Sequence, residues 1–124
     1  MPHTSSRDQD AYLYDMLDSA KLIRSYMEGV SFDQFLGNAE KRDAVAMRIA
    51  AIGDAARNVT KATERLLPSV PFPLIRGMRN RIAHHYGAVD FREVWKVTQE
   101  SIGPLVSALE EHFSKPLDEK KSVP

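Results

Sequence analysis

Apolar residues return every three or four positions along most of this chain, the period of a helix with one buried stripe. Leu13, Met16, Ala20, Ile23, Met27 and Val30 make the first run. Ser6 with Gln9 frames its start as a capping box, and Gly29 stands where it would stop. Ser31 and Gln34 repeat the box before a short helix, Phe32 to Leu36, closed by Gly37. Val45, Ile49, Ile52, Ala56, Val59, Thr63 and Leu66 then hold the spacing for about six turns of a third main helix.

Pro68, Pro71 and Pro73 end that helix, because proline lacks the donor and clashes with the turn before it. A fourth main helix is expected from Pro71 or Pro73, with Leu74, Ile75, Met78 and Ile82 inward and an end near Gly87. Asp90 and Glu93 frame the last helix, whose stripe reads Phe91, Trp95, Thr98, Ile102, Leu105, Leu109 and Phe113. Gly103-Pro104 inside it should bend it or cost a hydrogen bond. No strand, repeat or Gly-rich phosphate loop stands out. The pattern predicts an all-α fold, an antiparallel bundle of four main helices plus one short helix. It would occupy residues 6–113 as a single domain. Residues 114–124, polar and flanked by prolines, read as a disordered tail.

Composition narrows the class. A chain of 124 residues can bury a core without staples, and with no cysteine it has neither disulfides nor a Cys-based zinc site. No apolar run approaches the roughly 20 residues needed to cross a bilayer. The N-terminus lacks an apolar stretch after a basic one, so no secretory signal is expected and a cytoplasmic location is. Seventeen basic residues balance seventeen acidic ones, so the whole molecule is no glove for nucleic acid. Yet Arg76, Arg79, Arg81, His84 and His85 fall in one stretch without an acid until Asp90. Such a stretch is either a local phosphate-binding patch or a solvated helix face.

The same stretch carries the candidate chemistry. On a regular helix with Arg79 at zero, Tyr86 falls at about −20°, Arg76 at about 60°, Asn80 at about 100° and His84 at about 140°. The apolar residues take the opposite arc. Arg79 and His84 are too far apart round one helix to grip one small group. Either the helix unwinds before Gly87, or a second copy across a twofold supplies the missing half. A histidine can take the 2′-hydroxyl proton of RNA or protonate the leaving 5′-oxygen. An arginine can hold the phosphate with two prongs, and Asn80 can orient either partner. This route needs no metal or cofactor. His84 and His85, adjacent on a helix, make a poor chelating pair, and no carboxylate cluster suits Mg²⁺. The same residues would also serve as an exposed arginine, a capping asparagine and a histidine at a helix C-terminus.

The longer string Arg79-Asn80-x-x-x-His84-x-Tyr86, with Val89-Asp90 and Trp95 after it, resembles the HepT family of HEPN-domain toxins and its R-x₄-H-x-Y signature. Arg42-Asp43-Ala44-Val45 and Ile52-Gly53-Asp54-Ala55-Ala56 are similar to the family's third-helix pattern, with Asp54 where Glu is commoner. Leu67-Pro68, Pro71 and Ile75-Arg76-Gly77 are similar to its entry to the motif helix. The likeness spans roughly residues 8–113. Gly87 stands where an aromatic is expected, and His85 sits beside His84.

The resemblance implies a homodimeric, metal-independent ribonuclease acting on RNA as the toxin of a toxin–antitoxin pair. Arg79 and His84 would be catalytic, with Asn80 and Arg76 supporting. It also implies a minimal nucleotidyltransferase antitoxin able to transfer AMP to Tyr86. A non-catalytic HEPN subunit that only docks a nucleotidyltransferase would use the same helices.

Overall fold

In a computed structural model, which describes residues 5–82 and 88–115, every regular element is a helix. These are α1 (Ser6–Met27), α2 (Phe32–Leu36), α3 (Ala39–Ala56), α4 (Lys61–Glu64), α5 (Phe72–Arg76), α6 (Met78–Ile82), α7 (Phe91–Glu100) and α8 (Ile102–Ser114). The expected all-α bundle is therefore present. Helix α1 packs on both α3 and α8, while α5 and α6 lie against α3. Leu13, Met16, Ala20 and Ile23 of α1 meet Val45, Ile49, Ile52 and Ala56 of α3 in one core, to which α8 adds Ile102, Leu105, Val106 and Leu109. His112, also buried, ties α8 to α1 through Asp10 at 3.3 Å. No helix among the described residues is long and apolar enough to cross a membrane. The expected tail lies, from residue 116 on, outside the described residues.

Three expected boundaries move, each for a physical reason. The first helix is capped one residue early: the Ser5 hydroxyl accepts the Asp8 N–H. Gln9, freed from that role, is buried and reaches the third-helix region. There its amide donates to the Asn58 carbonyl at 2.9 Å and accepts the Thr60 N–H at 2.8 Å. The long third helix is thus broken after Ala56, and Thr60 caps the separate α4. The motif helix is broken as well. Gly77 caps α5, and α6 starts anew at Met78. Phe72 and Ile75 form the buried side of α5, so Leu74, expected inward, is exposed.

The Ser31–Gln34 capping box and the Asp90 cap of α7 form as read. Pro104 divides the last helix at Ser101, because it has no N–H to give the Glu100 carbonyl four residues back. Each half then keeps its own stripe: Val94 and Val97 are buried, and the expected Phe91 and Trp95 pack, partly buried, against the same core.

Candidate active site where α6 meets α3

The site begins at a glycine. A Cβ on Gly53 would stand 3.2 Å from the Ile75 carbonyl oxygen and 3.9 Å from the Arg79 nitrogen. Only a bare helix surface lets the backbone entering α6 lie this close to α3. Gly53→Val should therefore lower stability by about 1–3 kcal/mol, since backbone must move to admit the side chain. A urea midpoint equal to that of the wild type would show that α5 yields freely.

Asp54 follows Gly53 and faces Arg79. The Arg79 Nη1 donates to Asp54 Oδ1 at 3.3 Å and to Oδ2 at 3.2 Å. Both side chains are more than half exposed, at 59% and 51%. Asn80, the next residue of α6, is also exposed, whereas Met78 and Ile82 are buried. Helix α6 thus turns its apolar side to the bundle and Arg79 and Asn80 to solvent, as the angular reading required.

The other two arginines are placed differently. Arg76 pairs with Glu64 of α4, and Arg81 pairs with Glu93 of α7. These pairs are far less exposed than Arg79–Asp54. The acid-free stretch of sequence is therefore not a free basic patch, because three different helices each bring an acid to one arginine. Arg76 is the last residue of α5, one before the Gly77 that separates α5 from α6. Through Glu64 it braces α5 against α4.

His84, His85 and Tyr86 lie outside the described residues. The two ends that bracket them are well held. The Asp90 N–H donates to the Ile82 carbonyl, and the Arg81–Glu93 pair joins α6 to α7. Asp90 Oδ1 accepts the N–H groups of Arg92 and Glu93 at 3.1 and 3.2 Å. Ile82 and Asp90 are therefore held together beside Arg79's helix.

Beside Asp54, a groove between α1 and α3 is lined by Tyr12, Asp15, Asp18, Arg48 and Asn58. Its carboxylates outnumber its one arginine, so the groove is unfavourable to a phosphodiester. Among the described residues no three His, Asp or Glu side chains are grouped as a metal site needs.

A family model described as Ribonuclease HepT-like matches residues 16–112, from within α1 almost to the end of α8. The chain belongs to the HepT-like ribonuclease family. Three relatives agree with this over most of their lengths. A probable ribonuclease HepT of Thermococcus cleftensis is 31% identical over 104 residues, 84% of this chain and 94% of its own. Two candidate RNases of Methanocaldococcus jannaschii are similar to it too. One is 30% identical over 106 residues, 86% of this chain and 97% of its own. The other is 31% identical over 114 residues, 92% and 97%. No solved structure matches the chain significantly. The HepT-like match takes in Gly53, Asp54, Glu64, Arg76, Arg79 and Glu93, so the whole ion-paired frame around α6 lies within the family domain.

Proposed function

We propose that this HepT-like protein is a metal-independent ribonuclease, with Arg79 and His84 as its catalytic residues and Asn80 as their helper. The observation that carries the reading is the state of Arg79. It stands half-exposed on α6, five residues before His84 in the R-x₄-H-x-Y register, and Asp54 engages Nη1 alone. The Nε–Nη2 edge lies outside that contact, and it is the edge that takes a phosphate with two parallel hydrogen bonds.

The chemistry follows. His84 takes the 2′-hydroxyl proton, the 2′-oxygen attacks phosphorus, and the bond to the 5′-oxygen breaks as the imidazolium so formed gives that proton to the leaving oxygen. The products are a 2′,3′-cyclic phosphate and a 5′-hydroxyl. Arg79 balances the charge that grows on the non-bridging oxygens in between. Arg79 and His84 stand about 140° apart on a regular helix, so a twofold dimer with α6 near its axis completes the site. Purified protein in EDTA should cut RNA and scatter light as a dimer at micromolar concentration. Absence of cleavage would sink the nuclease; cleavage by a monomer would sink the dimer alone.

The biological role proposed with it is that of a toxin neutralised by a nucleotidyltransferase that transfers AMP to Tyr86. Seven residues after Arg79, Tyr86 returns to within about 20° of it on a regular helix. An AMP phosphate there would compete for the arginine and block the cleft. Co-expression with the nucleotidyltransferase should raise the intact mass by one AMP, mapped to Tyr86, and Tyr86→Phe should stay toxic. Neutralisation without a mass shift would reject the modification and leave the ribonuclease standing.

A further inference from the structure

We propose that Asp54 is a positioning residue of the nuclease site, holding the Arg79 guanidinium by one nitrogen so that its other edge is presented to the RNA phosphate. The proposal rests on Arg79 being the phosphate-binding group of the ribonuclease reading. Three observations carry it. The first is the shape of the contact: both Asp54 oxygens lie at 3.2–3.3 Å from the single nitrogen Nη1. A fork-to-fork pair through Nε and Nη2 would instead have occupied the edge that takes a phosphate. Held at one corner, the planar guanidinium keeps only a restricted swing about that nitrogen.

The second observation is how firmly the holder itself is held. Asp54 sits in α3 between Gly53 and Ala55, both buried, with fully buried Ile52 and Ala56 on either side. Its side chain has two torsions, so a fixed backbone leaves the carboxylate few places to be. The same turn of α3 fixes Arg79 twice. Gly53 receives the backbone near the Arg79 nitrogen, and Asp54 receives the side chain.

The third observation is exposure. The Arg76–Glu64 and Arg81–Glu93 pairs have partners between 21% and 32% exposed, and they join helices. Arg79–Asp54 is exposed by more than half on both sides. Exposed ion pairs add little to folding stability, so this one is poorly explained as a brace. Solvent also screens it, so a phosphate can approach Arg79 without the carboxylate being expelled from a dry site.

A carboxylate near the scissile phosphate repels it somewhat in the ground state, while an ordered guanidinium lowers the barrier to reaction. Removing Asp54 should therefore separate the two kinetic constants. In EDTA with a short RNA, Asp54→Ala should lose roughly ten- to a hundredfold in kcat, the range expected when a reacting group is misplaced by about an ångström. KM should stay level or fall, and Tm should stay within about two degrees of wild type. Asp54→Glu, which restores the charge on a longer arm, should recover most of kcat. Arg79→Ala is the control.

If Asp54→Ala turns over at the wild-type rate while Arg79→Ala is dead, the positioning role is wrong and the ribonuclease reading survives. A loss of kcat that Asp54→Glu does not recover, or that comes with a matching fall in Tm, would make Asp54 merely structural. Cleavage by Arg79→Ala at the wild-type rate would overturn the phosphate-binding assignment and this proposal together.

Discussion

Arg79→Ala should cost about 10²–10³-fold in kcat on RNA, the loss seen when one preorganised donor to transition-state charge is removed. The side chain is 59% exposed, and its described partner is the likewise exposed Asp54, so folding hardly depends on it. An exposed pair of this kind is worth about 0–1 kcal/mol, so Tm should fall by no more than a few degrees. Arg79→Lys keeps the charge and discards the fork. Lysine has no planar pair of donors to match two phosphate oxygens, so it should restore binding better than turnover. The arrangement around Arg79 also predicts a contrast inside the same stretch. Arg76→Ala and Arg81→Ala would strip Glu64 and Glu93, both under a quarter exposed, of their partners, so these variants should lower Tm more than Arg79→Ala does. If Arg79→Ala cuts RNA at the wild-type rate while folded, the phosphate-holding role is wrong.

Much of this arrangement could be read from the chain before any fold was known. The three-four spacing in α1 and α3 marks the residues that form the core, because a stripe at that spacing can be buried only on one side of a helix. Caps written in side chains, such as Ser31 with Gln34 and Asp90 with Glu93, are equally plain. The exposed and buried sides of α6 follow from five residues and the helical angle.

What could not be read are decisions taken by distant partners. Nothing near residues 57–60 announces that Gln9, about fifty positions away, satisfies their backbone and permits a break. The pattern there is helical, and tertiary contact overrides it. The arginines illustrate the same limit. Arg76, Arg79 and Arg81 look like a bare patch in sequence because their acids are on α4, α3 and α7. Local charge counts see neighbours along the chain and not across the fold. One signal was available at Gly53-Asp54. A glycine in the middle of an apolar helical pattern costs stability unless a backbone approaches it, and the acid beside it then faces whatever arrives.

His84→Ala should reduce cleavage by about 10²–10⁴-fold, the usual contribution of a general acid or base, with the dimer and the fold retained. The residue lies outside the described part of the chain, so the expectation combines its register with the frame around it. Ile82 is buried and hydrogen-bonded to Asp90, Arg81 is paired with Glu93, and both ends of the segment are thereby anchored on α6 and α7. In the register that puts Arg79 and Asn80 in solvent, His84 falls at about 140° from Arg79 and His85 at about 240°, close to the buried Met78 at about 260°. Were the helix to continue regularly, His85 would be the histidine of the packed side. His85→Ala should consequently act on stability more than on turnover, and His84→Ala the other way about. The measurement is kcat in EDTA alongside Tm for each variant and for the pair. An inactive His85→Ala beside an active His84→Ala would reverse the assignment, and full activity in both would remove histidine from the reaction. A rate that rises with pH as an imidazole loses its proton, and that flattens in His84→Ala but not in His85→Ala, would identify His84 as the base acting on the 2′-hydroxyl.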